Sequence, residues 1–71
     1  MYYRVIKTVF DDRISYGISA ISESQELMRL EDITDSFETI MEMVSEFNRE
    51  ELDPIHFEEV VEYYLADLSF N

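Results

Sequence analysis

The spacing of apolar residues changes once along this chain, close to Thr34, and that change limits the fold to strands followed by helices. Before it, apolar side chains recur at every second position. In residues 13–22, Ile14, Tyr16, Ile18 and Ala20 point one way while Ser15, Gly17 and Ser19 point the other. After it, they recur at intervals of three and four: Phe37, Ile40, Met41, Val44 and Phe47, then Phe57, Val60, Val61, Tyr64, Leu65 and Leu68. A period of two belongs to a half-buried strand, and a period near 3.6 to an amphipathic helix.

Residues 2–10 are β-branched and aromatic and read as a first strand, with 13–22 as a second. Asp11-Asp12 turns a hairpin between them, in a register that sets Val9 against Ile14, Lys7 against Tyr16, Val5 against Ile18 and Tyr3 against Ala20. The core face then carries Val5, Val9, Ile14, Tyr16 and Ile18. The opposite face carries Tyr2, Ile6, Phe10 and Ile21, more apolar than a solvated sheet face should be. Gly17, opposite Ile6, leaves room there for another surface to approach. Residues 26–33 fit a third strand entered through a turn at Ser22–Gln25. Met28 and Leu30 fall on one side of it, Leu27 and Ile33 on the other, and the alternation alone does not say which set faces inward.

Helices are expected at about 35–49 and 54–68. Thr34 or Asp35 is placed to cap the first, Asp35 with Glu38 making a capping-box pattern. Asp53 caps the second, Pro54 takes its first position and Leu52 can staple to Phe57. The short link at 49–52 makes the helices antiparallel neighbours. The expected fold is α+β: an antiparallel hairpin with a third strand, then an antiparallel helical hairpin packed on one sheet face.

The 71 residues fit one domain, 1–71, with a small core. No cysteine is available for a disulfide or a Cys/His metal cluster. Chains of this kind often gain stability by dimerising. No apolar run approaches the ~20 residues that span a bilayer. The N-terminal residues lack a signal-peptide pattern, so a cytoplasmic location is expected.

Charge follows the same boundary. Residues 1–30 hold four acids and four bases, whereas 31–67 hold thirteen acids against Arg49 alone, giving the net −12. Such a field repels nucleic acid and anionic membranes and attracts basic proteins. Glu38, Glu42, Glu46 and Glu50 stand four apart on the first helix, and Glu58, Glu59, Glu62 and Asp67 add to the second. The first four spread over ~18 Å. That is far sparser than the one charge per ~1.7 Å of duplex DNA, so imitation of a nucleic acid needs both helices. The plainer alternative is a solvated acidic face.

Tyr16-Gly17-Ile18, Asp32-Ile33-Thr34, Phe47-Asn48-Arg49 and Leu52-Asp53-Pro54-Ile55-His56, with Val60-Val61 and Tyr64-Leu65, carry a resemblance. Across nearly its whole length the chain is similar to a family of small domains of unknown function from clostridia-like Gram-positive bacteria. The resemblance implies a bacterial cytosolic domain of strand-then-helix order and brings no catalytic residues. The chain departs from the family pattern in its strongly acidic helices and in Tyr63.

No catalytic constellation stands out. His56 is the single histidine, and with Glu59 it offers too few ligands for a carboxylate-bridged metal centre. One glycine excludes the glycine-rich phosphate loops. No Gly-x-Ser-x-Gly elbow and no cysteine nucleophile are present. The chain is therefore expected to be non-enzymatic, with no cofactor and no metal. It reads as a protein-interaction module, homodimeric or bound to a basic protein, with no direct contact to nucleic acid or membrane. Its candidate contact residues are Tyr2, Ile6, Phe10 and Ile21 on the sheet, and Glu38, Glu42, Glu46, Glu50, Glu58, Glu59 and Glu62 on the helices. The alternative is an acidic inhibitor or decoy of a nucleic-acid-binding protein, such as a phage or mobile-element anti-defence protein.

Overall fold

The computed structural model describes residues 1–69, with the backbone alone for Leu68 and Ser69. Three antiparallel strands, β1 (Tyr2–Val9), β2 (Ile14–Ser22) and β3 (Gln25–Thr34), form one sheet in the order β1-β2-β3. Helix α1 (Phe37–Arg49) follows, then a 3-10 turn over Pro54–His56 and helix α2 (Phe57–Ser69). The chain is thus an α+β protein of three strands followed by two helices. The expected place of Leu68 on the α2 stripe falls on a side chain outside the described set.

The first hairpin has the expected register, with Val9 facing Ile14, Val5 facing Ile18 and Tyr3 facing Ala20. A two-residue turn at Glu23-Ser24 joins β2 to β3. Both residues take positive φ, 50° and 66°, as the tight hairpin turns that match strand twist require. Strand β3 then departs twice from regular pairing. Leu27 is an extra residue between the pairs Ile21–Glu26 and Ala20–Met28. Further along, three residues of β3, Glu31 to Ile33, stand opposite Gly17 alone. These bulges settle the direction that alternation left open. Met28 and Leu30 pack on the core, Leu27 turns to solvent, and Ile33 is brought back against the core.

Gly17 has a different role from the one expected. A Cβ at this position would lie 2.2 Å from the Leu30 carbonyl oxygen and 2.9 Å from Glu31 Cα. The surface that approaches Gly17 is the bulged backbone of β3 itself, so the glycine is spent inside the sheet.

The core gathers Tyr3, Ile18 and Ala20 from the sheet, Ile40, Met43, Val44 and Phe47 from α1, and Phe57 and Val61 from α2. The Tyr3 ring meets Phe47 and Phe57 at centroid distances of 5.6 and 5.1 Å. Phe47 in turn meets Phe57 and Tyr64. Two expectations are corrected. Val9 and Ile14 lie at the hairpin tip, 69% and 41% exposed, because α1 reaches the sheet only as far as Tyr16, where Phe37 meets its ring. On α1 the buried stripe is Ile40, Met43, Val44 and Phe47, an i, i+3, i+4, i+7 set. Phe37 and Met41 sit off that stripe and are exposed.

Capping explains where the helices begin and end. Ser36, not Thr34 or Asp35, caps α1 by accepting from the Thr39 N–H, while the Thr34 hydroxyl accepts from the Ser36 N–H. The C-terminus of α1 closes with Glu51 at φ 51°. The Glu51 N–H donates to the Asn48 carbonyl and the Leu52 N–H to the Phe47 carbonyl. This is the Schellman arrangement with glutamate where glycine is usual. Asp53 caps as expected, accepting from the Ile55 N–H, but it caps the 3-10 turn that leads into α2.

One long-range contact ties the layers together. The Asn48 side chain accepts from the Tyr3 N–H and donates to the Tyr3 carbonyl, at 2.7 and 2.9 Å. The Tyr3 hydroxyl donates to the Leu52 carbonyl at 2.6 Å. Burial, with the Asp53 carboxylate nearby, pushes the Tyr3 phenol above its ordinary pKa.

Candidate functional site

Two surfaces hold the residues singled out from the sequence. The first is the sheet face away from α1. Its central strand is small and polar, and Ser15 and Ser19 are buried there. Ser15 donates to Asp32 and Ser19 to Glu26, each at 2.6 Å. Arg13 pairs with Asp32 at 3.0 Å, and Arg29 bridges Glu26 and Glu31 at 3.1 Å to each. The hydrogen bonds from Arg13 and Ser15 hold the Asp32 carboxyl down to about 2. Those from Ser19 and Arg29 hold Glu26 below its ordinary value.

The four apolar candidates lie among these groups. Tyr2 is half exposed and Ile6 half buried. Phe10 lies under the Arg13 guanidinium, 4.2 Å from the ring centroid. Ile21 is only 5% exposed, so it offers no contact area, contrary to its expected outward position. The continuous apolar patch expected on this face is therefore broken by ion pairs and by burial.

The second surface is the outward face of α1. A shallow trough of about 920 Å³, open to solvent, runs along it from Phe37 to Arg49 and is bounded by Tyr64 of α2. Glu38 and Glu42 line it and have no ion-pair partner among the described residues. Glu46 accepts a short hydrogen bond from the Tyr64 hydroxyl and lies 3.9 Å from Arg49. Arg49 also approaches Glu50, the residue that ends the helix, at 3.5 Å. Phe37 and Met41, 55% and 41% exposed, supply the apolar part. Glu58, Glu59 and Glu62 are exposed on α2 and do not line the trough.

A family model matches residues 1–67 and describes a family of unknown function, DUF6514. The chain belongs to that family. No curated protein and no solved structure matches it. The family assignment agrees with the resemblance in its span over nearly the whole chain and in describing a family of unknown function, and it assigns no activity.

Within this DUF6514 chain the structure brings Glu38, Glu42 and Glu46 onto one face and separates them from the sheet candidates. His56 is exposed at the end of the 3-10 turn. Among the described residues no three His, Cys, Asp or Glu side chains gather to hold a metal ion, and no helix is long and apolar enough to cross a membrane. Sequence reasoning missed two things. It placed Phe37 and Met41 in the core, although Met43 completes a tighter stripe with Ile40, Val44 and Phe47. It also counted Glu31 and Asp32 with the helical acids, whereas both sit on β3 and pair with arginines.

Proposed function

We propose that this chain is a non-enzymatic protein-interaction module of the bacterial cytoplasm that binds a basic protein through the outward face of α1. The observation that carries the reading is the pairing of Glu38 and Glu42, which have no ion-pair partner among the described residues, with the exposed apolar side chains of Phe37 and Met41. Uncompensated acids draw a cationic partner, and exposed apolar groups give it something to bury. In this reading the two helices act as one hairpin laid on the sheet, which holds α1 rigid while its outer side stays free. A nucleic-acid-binding protein is one kind of basic partner, and the chain would then work as an inhibitor or decoy.

A second copy on the open sheet face is the other reading. Tyr2, Ile6 and Phe10 favour it; the burial of Ile21 and the arginine over Phe10 weigh against it.

Capture from the lysate of a clostridia-like host tests the choice. The wild type should retain a basic protein at low salt and release it at high salt, and the double variant Glu38→Lys, Glu42→Lys should retain none. Retention that ignores both salt and the double variant would move the binding surface away from α1.

A further inference from the structure

The outward face of α1 has an order beyond its charge. Phe37, Met41 and Ser45 follow one another at intervals of four, and Glu38, Glu42 and Glu46 run beside them at the same interval. Residues four apart stand about 6 Å above one another on a helix. The face is therefore two parallel ridges, one apolar at Phe37 and Met41, the other acidic.

The geometry points to one class of occupant for this trough: an amphipathic helix of a basic protein, with Lys or Arg at four-residue intervals beside an apolar strip. This rests on the reading of the α1 face as the partner-binding surface and adds what the partner presents there. Three arguments select it. First, a helix laid along α1 repeats its side chains at the same ~6 Å step, so its cations meet Glu38 and Glu42 while its apolar strip covers Phe37 and Met41. Second, the outside of a helix offers no free backbone edge. An extended strand lying there would leave its N–H and C=O groups without protein partners, whereas a helix satisfies its own. Third, a second copy would set acid against acid at α1, and nucleic acids and anionic lipids bring the same sign of charge. Arg49 lines the far end of the trough, where it faces Glu46 and Glu50, and among the described residues no cation lies within ion-pair distance of Glu38 or Glu42.

Two fluorescent peptides of about 18 residues, built of leucine and lysine, make the test. One is ordered as an amphipathic helix and the other has the same composition in an order with no apolar face. Anisotropy is read at low and high salt against the full chain. The ordered peptide should bind about tenfold more tightly than the scrambled one. Met41→Glu should weaken the ordered peptide about tenfold although it adds negative charge, because it destroys the apolar ridge. Glu42→Gln should weaken both peptides and flatten their salt dependence. The melting curve of each variant checks the fold, and Met41→Ser replaces Met41→Glu if the latter unfolds the chain. Equal binding of both peptides, with no effect of either Met41 variant, overturns the amphipathic-helix assignment and leaves a surface that reads charge alone. Failure of both peptides to bind overturns the assignment together with the reading of the α1 face on which it rests.

Discussion

The open sheet face and the outward face of α1 use acidic side chains to opposite ends. On the sheet, Asp32, Glu26 and Glu31 each face an arginine, and two of them also take a serine hydroxyl. On α1, Glu38 and Glu42 repeat at four-residue spacing with no cation beside them among the described residues. Carboxylates that accept hydrogen bonds and face guanidinium groups add to the structure that holds them. Like charges four apart on a helix subtract from it by ~0.2–0.5 kcal/mol per pair. The sheet face is thus built for its own stability, while α1 carries a repulsion that the fold does not use.

The largest test removes the joint between these regions. Phe47 touches Tyr3 of the sheet and Phe57 and Tyr64 of α2. Phe47→Ala should cost ~3–5 kcal/mol in urea or thermal unfolding, enough to depopulate the fold of a small domain. An unchanged melting curve would mean that the two faces belong to parts that fold independently.

Next in size is Gly17→Ala. The added Cβ meets backbone, not the end of a flexible side chain, so the β3 bulge must move and take Asp32 with it. A loss of about 1–3 kcal/mol is expected. A variant as stable as the wild type would show that the bulge is not pinned there.

The third test separates the faces by pH. The Asp32 carboxyl titrates near 2 in the folded chain, against an ordinary value of 3.8. A depressed folded pKa contributes stability that is fully present above the unfolded value and is lost as pH falls through the folded one. The wild type should therefore lose stability between pH 4 and pH 2, and Asp32→Asn should lose less over that window. Parallel curves for the two proteins would remove the Arg13–Asp32–Ser15 cluster from the account of acid stability.

The smallest effect belongs to α1. Glu42→Lys turns two repulsive neighbours, Glu38 and Glu46, into attractive ones and should raise stability by about 1 kcal/mol. A loss would mean that Glu42 has a favourable role in the free protein, and the contrast between the faces would be weaker than drawn.

Much of the fold was legible because it rests on short-range rules. The β1–β2 register follows from alternation around Asp11-Asp12, and the cap at Asp53 from the Pro54 that follows it. Burial of Phe47 and Val61 follows from helical spacing. What escaped lies in non-local geometry. The β3 bulges come from backbone pairing around Gly17 and Leu27, and no periodicity shows an extra residue before the partner strand is known. Because the bulge was hidden, so was the meeting of Arg13 with Asp32, and Gly17 looked like space for a visitor. The α1 face was half legible. Its glutamates stand out at four-residue spacing, but Phe37 and Met41 passed for core residues, since the choice between two overlapping apolar stripes depends on where the sheet lies.

The clamp between Asn48 and Tyr3 has a consequence for how the chain opens. Its two ends are 45 positions apart in sequence, and it grips an amide on the outer edge of the sheet, where no neighbouring strand protects it. Exchange of that amide with solvent deuterium therefore clocks the lifting of the α1 C-terminus from the strand, while amides directed at β2 clock the parting of the sheet. If helix detachment precedes sheet opening, Tyr3 exchanges first. If the small core yields in one step, the amides share one rate, and the protein has no partly open form for a protease or a partner to find.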